Sequence, residues 1–165
     1  SVQIEASDNR IDLENKLQIA GQIALVRTLG DLEAYQSAAE KQNDEDSNYA
    51  AKLEKSEAFI DWRRSAEEID RQIRAGIGRN PAYGILDEQR LRILKATVSL
   101  VRYDAEPGEI VACEKMHFTV CCGSGALIVE LVQLPGKKAM TVKDICNSRP
   151  EFFAPGLLFS SEQSH

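Results

Sequence analysis

The fold is decided between residues 83 and 134, in YGILDEQRLRILKATVSLV (83–101), EIVAC (109–113) and FTVCCGSGALIVELVQL (118–134). In these stretches β-branched and aromatic residues recur in short runs bounded by turn formers, which is the pattern of strands. Tyr83 to Leu86 and Leu91 to Val101 read as two strands around an Asp87-Glu88-Gln89 turn. Side chains alternate along a strand, so Leu91 and Ile93 face one way and Arg90 and Arg92 the other. Glu109 to Cys113, Phe118 to Cys122 and Ala126 to Leu134 give three more strands, the last two joined through Gly123-Ser124-Gly125. Five or six short strands with turns between them predict a small, partly open antiparallel barrel or sheet. A short helix near Val142 to Asn147 and an irregular tail follow.

Toward the N-terminus the texture is helical. Ser65 and Glu68 form a capping box, and Ala66, Ile69 and Ile73 mark the inner face of a helix that Gly76 and Gly78 end. Between Tyr49 and Trp62 charged and apolar residues mix without a period, and from Gln36 to Asn48 the chain is polar and acidic, as a linker or solvated loop would be. From Asn9 to Ala34, the residues Leu13, Leu17, Ala20, Ala24, Leu25 and Leu32 recur mostly at three- and four-residue steps. That spacing predicts a helix with one buried face and Asn9 as its N-cap. The expected class is therefore α+β, a helical lead-in followed by a small open antiparallel β-barrel.

A chain of 165 residues can hold one ordinary domain, or one of about 100 residues with an appendage. With 43% apolar and 28% charged residues it sits with soluble globular proteins, and no apolar run approaches the roughly 20 residues of a membrane-spanning helix. Nothing in residues 1–10 resembles a signal peptide, so a cytoplasmic location is expected. The net charge of −6 is unevenly shared. Residues 1–61 carry six basic and thirteen acidic side chains, whereas residues 62–165 carry fourteen and thirteen. A domain near neutrality still binds phosphate when its bases share a face, because the local field steers a polyanion.

Catalytic constellations are scarce. Cys113, Cys121, Cys122 and Cys146 form no C-x-x-C pair, and adjacent Cys121 and Cys122 point to opposite faces of a strand, a spacing that suits neither zinc nor a disulfide framework. Histidine occurs only at His117, on a predicted strand, and at His165. His117 and Cys121 lie about 13 Å apart at strand rise, too far for a nucleophile and its base. Gly76-Ile77-Gly78 and Gly123-Ser124-Gly125 neither follow a strand nor open a helix, so they read as turns and not phosphate cradles. Basic residues are the richer material. Lys52 and Lys55, Arg63 and Arg64, then Arg71, Arg74 and Arg79 line the approach to the domain, Arg90, Arg92 and Lys95 decorate a strand, and Lys137 and Lys138 project from a Pro-Gly turn.

The segments Tyr49-Ala50-Ala51-Lys52-Leu53, Glu57-Ala58-Phe59-Ile60-Asp61-Trp62, Ser65-Ala66-Glu67-Glu68-Ile69 and Ile73-Arg74-Ala75 resemble, in order and spacing, the opening of the methionyl-tRNA formyltransferase C-terminal domain. Gln133-Leu134-Pro135-Gly136-Lys137-Lys138-Ala139-Met140, Asp144 with Asn147 and Arg149, and Phe153-Ala154-Pro155-Gly156 resemble its closing half, and residues 2–34 are more loosely similar to the end of the preceding catalytic domain. Where that family follows Arg-Ala with a Phe-Asn-Pro-Trp-Pro type turn, this chain runs Gly76-Ile77-Gly78-Arg79-Asn80-Pro81-Ala82-Tyr83. Trp62 is then the sole tryptophan, and Tyr83 is the candidate to supply the packing of the missing one.

The resemblance implies three segments: residues 1–35 as a catalytic-domain remnant, 36–48 as linker, and 49–165 as a tRNA-binding barrel of oligonucleotide-binding type. It implies an enzyme that formylates the methionine of initiator tRNA from 10-formyltetrahydrofolate. The Asn-His-Asp centre and folate loop would lie upstream of Ser1, leaving this portion inactive alone, with no catalytic residue, no metal and no bound cofactor. Its expected partners are initiator tRNA, an upstream catalytic domain and, through the N-terminal helix, a second copy. The phosphate contacts expected are Lys52, Arg74, Lys95, Lys137, Lys138 and Arg149. An interaction module working apart from tRNA, and a formyltransferase acting on another carrier such as a sugar nucleotide or a free folate, are the other classes. The Gly136-to-Met140 loop favours the tRNA enzyme over both.

Overall fold

The computed structural model describes residues 1–160, so the end of the domain expected over 49–165, His165 included, lies outside the described residues. The chain divides into two compact units, Ser1–Leu53 and the remainder from Glu54.

The first unit is built on α1 (Arg10–Gly30) and α2 (Leu32–Ser37). The Asn9 side chain accepts from the Ile11 and Asp12 amides while Asp12 accepts from the Asn9 amide, so the expected N-cap forms. The single helix expected through Ala34 is two. Asp31 leaves the helical region at φ −147° and ψ 64°, and its carboxylate caps α2 by accepting from Ala34. No residue of α1 is buried, so the expected apolar face is uncovered in this chain. Ile11, Leu17, Ile19, Ile23, Leu25, Val26 and Leu29 are all exposed. At 100° per residue they point around the whole cylinder, and the three- and four-step series picked out only one line of them.

The second unit opens with a 3-10 turn at Lys55–Ala58 and α3 (Ala66–Gly76). Ser65 and Glu68 make the expected capping box, and Ala66, Ile69 and Ile73 are buried. Gln72 ties the approach to the helix by donating to the carbonyls of Glu57 and Phe59 at 2.7 and 2.9 Å.

Six antiparallel strands follow: β1 (Tyr83–Leu86), β2 (Gln89–Ser99), β3 (Ile110–Cys113), β4 (Phe118–Cys121), β5 (Ala126–Gln133) and β6 (Ala139–Thr141), then α4 (Val142–Ser148). The order is β1-β2-β5-β4-β3, with β6 also on β5. Gln89 is not in the turn as expected but pairs with Leu86. The bend is only Asp87-Glu88, both at positive φ (48° and 58°), as the right-handed twist of a two-residue hairpin requires. Strand β6 went unanticipated; three residues, two of them exposed, carry no alternation to read.

Register slips around Leu94 and Glu130 form a bulge between β2 and β5. It shifts the alternation, so that Leu91 and Ile93 and then Ala96 and Val98 face the core. Arg90, Arg92, Lys95 and Thr97 consequently share the outer face. The core joins these to Phe118, Val120, Leu127 and Val129, to Ile69 and Ile73 of α3, and to Val142 and Ile145 of α4. Phe118 stacks on Phe153 at 4.2 Å between centroids, and Trp62 packs on Phe159 at 4.8 Å. Tyr83, the candidate for the packing of the missing tryptophan, is buried but does not pack on Trp62. It lies in a separate small cluster with Ala58 and Ile85, edge-on to Phe59 at 5.6 Å.

The tail completes the sheet. Ile110 donates to the Leu157 carbonyl and Gly156 donates to that of Ile110, on β3; Ser160 then donates to the Ile85 carbonyl, on β1. One segment thus clasps both outer strands, and the result is an α+β fold with a curled, OB-like half-barrel.

Gly123 is the tightest point. Its amide donates to the carbonyls of both Trp62 and Arg64 at 2.9 Å, and the Ala66 amide donates to the Ser124 carbonyl at 2.9 Å. A Cβ on Gly123 would lie 1.8 Å from the Arg63 carbonyl oxygen. The obstacle is backbone, which cannot rotate aside. Gly123→Ala is therefore expected to destabilise the domain by roughly 3 kcal/mol or more, read as a fall in the urea midpoint. An unchanged midpoint would show that the backbone here can give way to a side chain.

Candidate nucleic-acid interface

The six residues expected to contact phosphate fall into four kinds of environment. Lys52 is exposed on the extended stretch that ends the first unit. Arg74 and Lys95 are joined to acids: Arg74 Nε donates to Asp70 at 2.8 Å within α3, and Lys95 Nζ donates to Glu130 at 2.6 Å across the β2–β5 pair. Glu130 shows the coupling, for the Lys95 ammonium holds its carboxyl below the usual range. A phosphate would have to compete with that carboxylate. Arg149 ends α4, where Pro150 prevents continuation, and its guanidinium lies 5.8 Å from the Phe152 ring centroid.

Lys137 and Lys138 are different. Both are exposed, and neither is within ion-pair distance of a carboxylate among the described residues. Their turn is well defined: the Lys137 amide donates to the Leu134 carbonyl at 3.1 Å, with Pro135 and Gly136 between and Gly136 at φ +67°. Proline followed by a positive-φ glycine is the sequence of a type II turn. The bend is set by the backbone and leaves both ammonium groups projecting.

The turn is braced from the sheet. Gln133 Nε2 donates to the Lys137 carbonyl at 2.8 Å, and Gln133 Oε1 accepts from Arg92 Nη1 at 3.1 Å. Tyr83, Arg92, Gln133 and Ala139 are direct register partners across β1, β2, β5 and β6. Arg90, two residues from Arg92 and on the same face, lies over the Tyr83 ring at 3.7 Å. Arg92 and Gln133 were outside the expected set. Their alternation placed them on the outer face, but only strand register shows that they meet beside the turn.

The remaining polar groups offer little chemistry. Among the described residues no group of three or more His, Cys, Asp and Glu could hold a metal. His117 sits just before β4, half-buried, 3.7 Å from Glu114. A cavity of about 390 Å³ carries Arg102, Tyr103 and Cys121, but the loop that walls it, residues 100–109, also carries Asp104, Glu106 and Glu109. All four cysteines are free. Cys113 and Cys146 come within 3.7 Å, a meeting that their distance in sequence conceals.

Comparison with known proteins matches residues 52–150 to the family described as formyl transferase, C-terminal domain. The chain belongs to this family. Methionyl-tRNA formyltransferases of Coxiella burnetii strains RSA 331 and RSA 493 are each 37% identical to it over 153 residues, covering 93% of this chain and 49% of the relative. The chain thus spans about half the length of the curated relatives it matches. Two structures of HypX from Aquifex aeolicus share its fold. A substituted variant has TM-score 0.63 at 15% identity, covering 92% of this chain and 27% of that one. The other, in complex with tetrahydrofolic acid, has TM-score 0.54 at 16% identity, covering 77% and 22%. In this C-terminal domain the Gly136-Lys137-Lys138 turn presents two exposed cations without a carboxylate partner among the described residues.

Burial disfavours the thiolates of Cys113, Cys121 and Cys122. It pushes Cys122 up to about 12, and burial together with the neighbouring Cys146 thiol pushes Cys113 up to about 11. At pH 8 fewer than about one in a thousand Cys113 groups would be thiolate, against roughly a quarter for an ordinary cysteine. Alkylation of Cys113 and Cys122 at pH 8 should therefore be at least about a hundredfold slower in the native protein than in denaturant. For Cys113 the rate should rise about tenfold per pH unit up to pH 10, as peptide mass spectrometry would follow. Rapid native labelling at pH 8 would show a nucleophilic thiol.

Proposed function

We propose that this chain is the C-terminal, tRNA-binding portion of a methionyl-tRNA formyltransferase. The complete enzyme would transfer the formyl group of 10-formyltetrahydrofolate to the amino group of methionine carried by initiator tRNA, in the cytoplasm. The observation that carries the reading is the Lys137-Lys138 turn, two uncompensated cations on a backbone-fixed bend, in a chain 37% identical to enzymes of that name. Arg149 would add to the field, whereas Arg74 and Lys95 would contribute less because Asp70 and Glu130 already occupy them. Contacts of this kind position a nucleic acid without reading its bases.

No Asn, His and Asp of these residues match the family's catalytic group, so formyl transfer would depend on the half of the relatives that this sequence does not cover. The apolar side chains of α1 would be covered by that half. In its absence they would favour a second copy, seen as concentration-dependent sedimentation.

Two measurements test the proposal. Supplied with formyl donor and charged initiator tRNA, the 165-residue chain should give no turnover; any turnover that survives removal of host enzyme would place catalytic groups within it. Replacing Lys137 and Lys138 by alanine should weaken tRNA binding and lower the slope of log affinity against log salt by about 1.4 to 1.8, since each lost phosphate contact removes about 0.7 to 0.9. An unchanged slope in a folded double variant would remove the turn from the interface.

A further inference from the structure

We infer that Arg92 binds a backbone phosphate alongside Lys137 and Lys138, and that Gln133 is the positioning residue holding the three cations at fixed spacing. The inference rests on the tRNA-binding reading above and adds Arg92 and Gln133, neither of them among the six expected phosphate contacts, to the surface of Lys137 and Lys138.

The first observation is how this arginine is paired. In the second unit Arg63, Arg64, Arg74 and Lys95 each engage a carboxylate. Arg92 engages the neutral amide of Gln133 instead. An arginine given a neutral acceptor is oriented without being neutralised, so its full charge and remaining N–H groups stay available to an anion. Asp87 and Glu88, in the hairpin turn of the same strand pair, are the nearest acids along the chain, and neither comes within ion-pair distance of it.

The second observation is the orientation of the amide. Gln133 has one acceptor and one donor end; the acceptor meets Arg92 and the donor meets the Lys137 carbonyl. Reversing it would set donor against donor on one side and acceptor against acceptor on the other, so only one orientation satisfies both neighbours. The side chain therefore works as a strut between strand β2 and the lysine turn. Arg92, Gln133 and Ala139 are register partners on three adjacent strands, so the backbones of Arg92 and of the start of β6 stand about two strand spacings, roughly 10 Å, apart, and the Arg92 side chain reaches toward Gln133 between them. Half-buried Arg92 on one side and exposed Lys137 and Lys138 on the other then flank Gln133. Arg90, stacked on Tyr83, extends the positive row on the β1 side. A row of cations at such spacing suits phosphates along an RNA backbone and ignores the bases.

The test uses the full chain and unacylated initiator tRNA, with affinity measured by fluorescence anisotropy across a salt series and folding checked by thermal melts. Arg92→Ala should lower the salt slope by about 0.7 to 0.9, and Arg92→Lys should keep the slope while binding more weakly. Gln133→Glu places a carboxylate against Arg92 and loses the donor to the Lys137 carbonyl, so it should lower the slope by a similar amount and also weaken binding. Gln133→Ala removes no charge, so it should leave the slope near that of the parent while weakening binding about three- to tenfold, through loss of the strut.

If Arg92→Ala and Gln133→Glu keep the parental slope while the Lys137/Lys138 double variant loses it, Arg92 is not a phosphate contact and only this inference falls. If Gln133→Ala lowers the melting temperature but not the affinity, Gln133 is structural and its positioning role is wrong. If the parent chain itself shows no salt-dependent tRNA binding, the functional reading and this inference fall together.

Discussion

Everything in the second unit hangs on the contact between Gly123 and the backbone of Trp62 to Arg64. The β4–β5 hairpin and the N-terminus of α3 approach so closely that no side chain fits between them, and they are joined by hydrogen bonds from Gly123 and Ala66. That contact fixes where α3 enters, and hence how Ile69 and Ile73 meet the sheet. It also seats Trp62, which then packs on Phe159 from the far end of the domain. A hairpin held this firmly sets the twist of β5, the strand that pairs with β2, β4 and β6. The surface proposed for tRNA is thus an outgrowth of the packing, not a separate addition to it.

Charge pairing explains why a domain of nearly zero net charge can still offer a basic face. Its acids are not scattered evenly among its bases. Asp61, Glu68, Asp70 and Glu130 each take up one arginine or lysine, and these pairs are largely solvent-screened, so they contribute little to stability. Their larger effect is subtraction. Among the described residues Arg92, Lys137 and Lys138 are left without a carboxylate where β2, β5 and β6 meet, and Arg71, Arg79, Lys115 and Lys143 are left so elsewhere. A formal charge count cannot show this, because it treats a paired and an unpaired lysine alike.

The sequence was most legible where one residue type has one local job. The Ser65–Glu68 box, the Asn9 cap, the five longer strands and the Pro135-Gly136 bend all follow from chemistry within a few residues, and all are found. Boundaries were less so: Gln89 joined a strand because a two-residue turn sufficed. Two things were not legible. The exposure of α1 depends on whether a partner surface exists, which periodicity cannot report. The meeting of Arg92 with Gln133, and of Cys113 with Cys146, depends on register and topology across tens of residues. For the interface this matters directly, since Arg74 and Lys95 look as free as Lys137 until their carboxylate partners are seen.

The clasp made by residues 156–160 bears on how such a domain comes into being. Ser160 bonds to Ile85 on β1, and Gly156 and Leu157 bond to Ile110 on β3, so the two outer strands are bridged by chain that emerges from the ribosome long after either of them. Until then the half-barrel is open along β1 and β3, and the Trp62 side of the core lacks Phe159. Closure of contacts so distant in sequence is intrinsically slow. During translation the nascent domain must therefore wait with exposed strand edges, and truncation by even a handful of residues before Ser160 would leave it in that unfinished state permanently.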